Sequence, residues 1–234
     1  MRLYIIRHAD PDYENNTITP EGHLEAKALA RRMAKEKLHK IYASPMGRAQ
    51  HTMQYTADAL KLKSTTENWT AELESWRADQ NKYGISMIWD VPGEKIRGGE
   101  KVPHHHDWHE HDPFDDAKLK QEYEKICAQS DAFFLRHGYE RKGHRYRCVK
   151  PHQERIAVFC HGGFGLTWLS HLLALPLPMV WSGFWLPPSS VTTVLLDERS
   201  KEWAVPRCIG MADCSHLYEA GLPIRPRGIK TNFD

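Results

Sequence analysis

Short runs of consecutive apolar residues alternate along this chain with stretches whose apolar positions recur every three or four residues. Residues 2–6, Arg-Leu-Tyr-Ile-Ile, form the first run and predict a buried strand. Polar, turn-like residues 10–18 follow. Thr19-Pro20-Glu21 then reads as an N-cap with proline at the first helical position. The spacing predicts a helix to about Lys37, with Leu24, Ala28, Leu29 and Met33 on its apolar face. Residues 39–43 predict a second short strand. Ser44-Pro45 opens another helix, with Ala49, Met53, Ala57 and Leu60 at helical spacing, and 63–66 suggest a third strand.

From about 75 to 150 the pattern loses regularity. This segment holds Gly98-Gly99, a histidine-rich run over 104–112, and a helix carrying Tyr123, Ile126, Phe133 and Phe134 on its apolar face. Alternation resumes with an apolar strand over Arg155–Cys160, a tight turn at His161-Gly162-Gly163, and a buried helix over 164–175 ended by Pro176. Val191–Leu196 and Trp203–Cys208 read as neighbouring antiparallel strands. Strands alternating with helices imply an α/β fold: a three-layer α/β/α sandwich around a mostly parallel sheet. The region of about 75–150 reads as an irregular, partly helical insertion within a single domain spanning 1–234, with no internal repeats.

Composition narrows the class. With 41% hydrophobic and 26% charged residues in 234, the chain can bury a proper core and is not of the disordered type. A net charge of +2 is too weak to argue for nucleic acid or an acidic membrane surface as partner. The five cysteines, Cys127, Cys148, Cys160, Cys208 and Cys214, are odd in number and form no C-x-x-C pair. That disfavours a disulfide framework and points to a reducing cytoplasm. The N-terminal apolar run is too short for a signal peptide. Ile156–Leu196 contains no Asp, Glu, Lys or Arg, but Gly162-Gly163, His171, Pro176, Pro178 and Pro187-Pro188 break it into short pieces. Core strand, buried helix and loop account for it better than a membrane span.

Three turns share one arrangement. Arg7-His8 follows the first strand. Ser44-Pro45-Met46-Gly47-Arg48 follows the second and opens a helix. His161-Gly162-Gly163 follows the late strand and opens another. Ligands of open α/β sheets bind beyond the carboxyl ends of the strands. Parallel strands would therefore bring two arginines, two histidines and helix N-termini to one rim. Arginine forks and helix N-termini suit a phosphate dianion. A neutral imidazole can attack phosphorus, a second histidine can bond the charged oxygens, and an acid must protonate the leaving oxygen. Glu72 and Glu74 are the candidate acids.

Arg7-His8-Ala9-Asp10, Thr19-Pro20-Glu21-Gly22, the run Ser44 to Thr52, and His161-Gly162-Gly163 resemble the histidine phosphatase superfamily, which includes the cofactor-dependent phosphoglycerate mutases. The resemblance covers about the first 75 residues and again about 155–220, and it implies a phosphoglycerate mutase-like fold. It also implies that His8 carries the phosphoryl group and that Arg7 and Arg48 bind phosphate. By the same resemblance His161 is the second catalytic histidine, and Gly162 lets backbone approach the phosphate. Trp69-Thr70-Ala71-Glu72 resembles the family's acid segment, so Glu72 stands as proton donor, with Glu74 in competition. Ala9 replaces the usual glycine, which is tolerable if the backbone there avoids positive φ. Asn15 or Asn16 is a candidate phosphate contact, with neither preferred.

The expected activity is that of a hydrolase, a cofactor-free and metal-free phosphomonoesterase acting on a small phosphorylated metabolite and releasing inorganic phosphate. The absence of a mutase-like segment around the acid favours hydrolysis. A phosphoglycerate-type mutase and a non-catalytic phospho-ligand binding protein on the same fold are the alternatives. Other signals carry less. The cluster His104, His105, His106, His109 and His111, with Asp107, Glu110 and Asp112, has metal-ligand chemistry but the composition of a mobile polar loop, which could also line the site mouth. A cysteine-dependent phosphatase is excluded at Cys160, because position 166 is Leu where an arginine is needed. There is no Walker-type run. Trp168, Trp181 and Trp185 read as core or cleft-wall residues.

Overall fold

A computed structural model of the chain describes residues 1–229; residues 230–234, the end of the expected domain, lie outside it. One central sheet of eight strands runs through the molecule, and β2 (Pro11–Asp12) and β3 (Thr17–Ile18) form a separate two-stranded ladder. Its order is β5 (Ser64–Thr66), β4 (Lys40–Ala43), β8 (Arg155–Cys160), β1 (Arg2–Arg7), β9 (Val191–Asp197), β10 (Trp203–Asp213), β7 (Arg145–Cys148) and β6 (Tyr139–Lys142). The β5, β4, β8 and β1 strands are mutually parallel, and every pairing from β1 onward to β6 is antiparallel. Following these pairings, only β9 and β7 run against the direction of the other six. The sheet is thus mixed, with mostly parallel strand directions, and its parallel half is the half that carries the three turns.

Residues on successive positions of a strand face opposite sides of a sheet, and both sides are covered here. From β1, Tyr4 and Ile6 pack with Ala157 and Phe159 of β8 against one helical layer. That layer is α1 (Pro20–Lys35), through Leu29 and Met33, and α2 (Gly47–Leu60), through Met53 and Ala57. Leu3 and Ile5 face the other way with Ile156, Val158 and Cys160. They meet α5 (Ala117–Arg136), through Tyr123, Ile126, Phe133 and Phe134, and α6 (Gly162–Leu173), through Phe164 and Trp168. Helices on both faces give the three-layer sandwich expected from the sequence.

Local chemistry sets the helix ends. Thr19 caps α1 by accepting the Gly22 N–H at 3.0 Å, with Pro20 at the first helical position. The helix stops at Lys35, two residues short of the expected end, where Lys37 takes a left-handed φ of 52°. Leu24, expected on the buried face, is exposed. It lies about 140° around the helix from Leu29 at 100° per residue, while Ala26, Leu29, Ala30 and Met33 make the buried stripe. The α6 helix begins at Gly162, two residues before the expected start, and ends where Ala174 turns left-handed.

The region 75–150 differs from expectation at its end. Between the short helices α3 (Gln80–Tyr83) and α4 (Gly93–Arg97) and the long α5 it is irregular, as read. Then β6 and β7 form a hairpin that extends the central sheet, Trp203 and Ala204 of β10 pairing with Arg147 and Tyr146. The reason is an alternation. Tyr139 and Tyr146 are fully buried with charged residues between them, and Gly143 takes positive φ at the first position of the two-residue turn. The α7 helix (Leu177–Gly183) follows α6, and α8 (Ser215–Glu219) follows β10. Among the described residues no helix is long and apolar enough to cross a membrane.

Candidate active site

The three turns meet because β4, β8 and β1 are adjacent and parallel. His8 N–H bonds the Cys160 carbonyl at 2.9 Å, and Ser44 N–H bonds the Phe159 carbonyl at 2.8 Å, so all three strand ends are tied in register. Arg7, His8, Arg48 and His161 all lie buried at this rim, beyond the carboxyl ends of the strands.

His8 is 2% exposed. Its Nδ1 lies 2.8 Å from the Ala9 carbonyl, an acceptor only, so this nitrogen carries the proton and Nε2 keeps a free lone pair. The His161 ring stands edge-on, with centroids 5.2 Å apart. Burial holds both imidazoles well below the ordinary histidine value. Arg7 and Arg48 push His8 further down; His8, Arg48 and Arg7 do the same to His161. Both rings are therefore neutral at ordinary pH. Ser44 Oγ lies 2.7 Å from His161 Nε2 and also accepts the Met46 N–H at 3.3 Å.

The two arginines are fixed from behind. Arg7 Nη1 donates to the carbonyls of Leu186 and, at 3.2 Å, of Arg227. Arg48 donates to Asn16 Oδ1 at 3.3 Å and to Glu74 Oε1 at 3.5 Å, and its guanidinium lies 5.4 Å from the Tyr13 ring centroid. What remains is unusual. Arg7 Nε, Arg48 Nε and His161 Nδ1 are buried without a hydrogen-bond partner among the described residues. Buried polar atoms are rarely left unpaired, and each such case calls for a reason. Two cationic donors and a neutral imidazole nitrogen together fit a bound anion.

The two candidate acids are placed very differently. Glu72 reaches the start of α6, where Oε1 accepts the Phe164 N–H at 2.8 Å and Oε2 the Gly163 N–H at 3.2 Å. Burial raises its carboxyl above the ordinary value, although those N–H bonds, the Leu73 N–H and the Arg7 charge pull the other way. Glu74 is more than half exposed and faces Arg48. Glycine is required on this floor at Gly163, where a Cβ would sit 2.7 Å from the Trp89 indole and 2.9 Å from Glu72 Oε1. A Cβ on Gly162 would meet only the Arg7 side chain at 3.4 Å, an ordinary contact. Ala9 is buried without positive φ, so its methyl group fits; its N–H is held by Thr52 Oγ1 at 2.9 Å. Of the two asparagines, Asn16 touches Arg48 while Asn15 bonds Asp12. Gly47 allows this, since a Cβ there would lie 2.2 Å from the Asn16 carbonyl.

Sequence reasoning missed a clasp. Arg227, near the end of the described chain, donates from Nε to Asp10 Oδ1 at 2.7 Å and from Nη2 to Oδ2 at 3.1 Å. Its carbonyl accepts from Arg7 and from Trp185 Nε1. Burial alone would raise the Asp10 carboxyl; the Arg227 and Thr19 hydrogen bonds and the Arg227 charge outweigh it and leave the group low. Glu25 accepts the Asp10 N–H at 2.9 Å behind this pair, and burial pushes its carboxyl up to about 7. No local pattern signals Arg227, which is 217 positions from Asp10.

The histidine-rich run does not converge. The His105 ring meets those of His106 and His144 edge-on, and His111 pairs with Asp107 at 3.5 Å. Among the described residues these side chains form no cluster of three metal-ligating groups. Trp168 and Trp181 are core residues as read, and Trp185 lies against the Arg227 carbonyl.

Comparison with known proteins bears on the family and the fold. Residues 3–82 match the model of the histidine phosphatase superfamily (branch 1). The curated "Putative phosphoserine phosphatase 2" of Hydrogenobacter thermophilus is 31% identical over 96 residues, which span 37% of this chain and 47% of that protein. The match thus spans about half the length of this curated relative. Among solved structures, a variant of phosphoserine phosphatase from Entamoeba histolytica in complex with phosphoserine superposes with a TM-score of 0.62 at 18% identity, over 92% of this chain and 98% of that one. A mycobacterial glucosyl-3-phosphoglycerate phosphatase gives 0.61 at 17%, over 90% and 98%. Residues 3–82 thus match the histidine phosphatase superfamily in sequence, and nine-tenths of the chain shares the fold of these solved phosphatases.

Proposed function

We propose that this protein is a phosphomonoesterase that hydrolyses a small phosphorylated metabolite through a phosphohistidine on His8. One observation carries the reading: Arg7 Nε, Arg48 Nε and His161 Nδ1 are buried and unpaired around an imidazole whose Nε2 lone pair is free. Three donors around one nucleophile fit a phosphoryl group better than any neutral ligand.

In this reading the Nε2 lone pair of His8 attacks phosphorus, and the P–O bond to the leaving group breaks with its electron pair on oxygen. Glu72, whose raised carboxyl retains its proton to higher pH, protonates that oxygen. Water then attacks the phosphohistidine; Glu72 takes the water's proton, and the P–N bond breaks to restore His8 and release inorganic phosphate. Ser44 donates its hydroxyl proton to His161 Nε2, so Nδ1–H of His161 is the donor to the phosphoryl oxygens. Arg7 and Arg48 hold the remaining oxygens, and the N–H of Gly162 at the start of α6 adds a backbone donor. Glu74, exposed and tied to Arg48, orients that arginine.

The relatives support a small ester as substrate, since those similar proteins are phosphatases of phosphoserine and of glucosyl-3-phosphoglycerate. Phosphate release from a panel of such esters by wild type and His8→Ala, with and without chelator, is the test. Release by wild type alone, unchanged by chelator, is expected; turnover by a folded His8→Ala protein would overturn the mechanism.

A further inference from the structure

Behind Arg7 and His8 lies a chain of polar contacts that the phosphoryl chemistry does not use. The segment between α7 and β9 grips the pair at three points. The Leu186 carbonyl accepts from the Arg7 guanidinium, the Ser190 carbonyl accepts the Arg7 N–H at 3.2 Å, and the Ser189 N–H donates to the His8 carbonyl at 3.0 Å. On its other side His8 donates its own N–H to Cys160. The backbone of His8 is thus clamped between β8 and this segment.

The gripping segment is a tight turn. Ser190 N–H bonds the Pro187 carbonyl at 3.1 Å, with Pro188 and Ser189 at the two central positions. Ser189 takes a φ of 58°, in the left-handed region where this position of a turn favours glycine. A serine holds that conformation only if its surroundings impose it. Ser189 is fully buried, and its Oγ lies 3.1 Å from Nε2 of His216, on α8. Across that ring, Nδ1 lies 3.5 Å from Arg32 Nη1, a group that only donates. The lone pair is therefore on Nδ1, and Nε2–H donates to Ser189. Arg32, from α1, is itself fixed by the Asp213 carbonyl at 3.0 Å and by Asp213 Oδ2 at 2.9 Å. His216 is 2% exposed, and burial and the Arg32 charge bring its imidazole down to about 4, so the ring stays neutral.

We propose that His216 is a positioning residue for the nucleophile: through the Ser189 hydroxyl it holds the 187–190 turn in the conformation that clamps His8 and Arg7. The inference rests on the reading of His8 as nucleophile. His216 acts through Ser189 and not on the reacting atoms. Attack on phosphorus is sensitive to small displacements, and a shift of about 1 Å is enough to cost about 10²-fold. Glycine at 189 would take the same φ without help. Serine makes the turn depend on its hydrogen bond, and so on the chain from Asp213 through Arg32 and His216.

The test is a double-mutant cycle in the full chain. It is read by kcat on the phosphate-ester panel and by the imidazole ¹⁵N signals of His8, assigned by their loss in His8→Ala. His216→Leu fills the space without a donor; it should lower kcat by about 10- to 100-fold and shift the His8 signals. His216→Gln keeps a donor and should recover most of that loss. In a Ser189→Gly background, adding His216→Leu should change kcat by less than about two-fold and leave the His8 signals in place. Thermal melting checks that each variant is folded. The proposal is overturned if His216→Leu keeps wild-type kcat and His8 signals, or if its effect is equal in both backgrounds. Should wild type turn over no ester, the phosphatase reading fails instead, and the His8 signals decide alone. A shift in His216→Leu that the Ser189→Gly background abolishes then upholds the positioning, and an equal shift in both overturns it.

Discussion

The two ends of the parallel half of the sheet hold the same residue type in different surroundings. At the carboxyl ends, His8 and His161 are buried beside Arg7 and Arg48, and the buried carboxyl of Glu72 is held protonated to higher pH by burial. At the amino ends, His137 and His152 lie beside Glu154, whose carboxylate is paired with Lys40. In the proposed mechanism the two imidazoles among cations supply a nucleophile and a donor for an anion. At the other end the one lone pair of His152 Nδ1 is taken by the Glu154 N–H, and burial and the Lys40 charge hold the His137 imidazole down at about 4. Histidine alone does not decide the chemistry; the charge beside it does.

Variants at one end should leave the other untouched, and the effects differ in size. His8→Ala should lower turnover by at least about 10⁴-fold, because it removes the bond-forming atom. Glu72→Gln should cost about 10²–10⁴-fold in kcat, the range of general acid catalysis, while Glu74→Gln should cost far less. Steady-state kinetics on both variants separates the two carboxyls.

The pH profile sharpens the same point. His8 is neutral well below the ordinary histidine value, so acidification through that range should leave kcat/KM largely intact. Glu72 loses its proton as pH rises through its raised value, so kcat/KM should fall on the alkaline side. In Glu72→Gln that alkaline fall should vanish. Arg48→Ala should cost about 10²–10³-fold, the worth of one transition-state donor.

Smaller effects concern stability. Glu25 has a folded-state value of about 7 against an ordinary 4.5. A carboxyl raised in the folded state gives full stability below its unfolded value, and stability is lost as pH rises through the folded one. Between about pH 4.5 and 7 the protein should therefore lose up to about 3 kcal/mol, and Glu25→Gln should recover it at neutral pH. Denaturant unfolding at pH 5 and pH 8 measures this.

The site residues were legible because they sit in short local motifs at strand ends, where parallel pairing brings Arg7-His8, Ser44–Arg48 and His161 together. The Glu72 and Glu74 alternatives needed coordinates, since two residues of separation carry no information about which side chain turns toward α6. The Asp10–Arg227 clasp left no trace, because long-range ion pairs have no periodicity. The β6–β7 hairpin was readable in principle from Tyr139, Gly143 and Tyr146, but its alternation is short and densely charged. The dense run at 104–112 drew attention through composition, while His137, His152 and Glu154 are spread over an ordinary helix end and loop. Convergence of ligand atoms depends on where the backbone turns, not on how many histidines are adjacent.

The central claim is a covalent phosphoryl group on His8. Rapid acid-free quenching during turnover of a phosphomonoester, followed by peptide mass spectrometry, tests it most directly. The account predicts an acid-labile phosphoryl group on the peptide carrying His8, present in wild type and absent from His8→Ala. Turnover with no phosphoryl group at His8, or with the group on another residue, would contradict it.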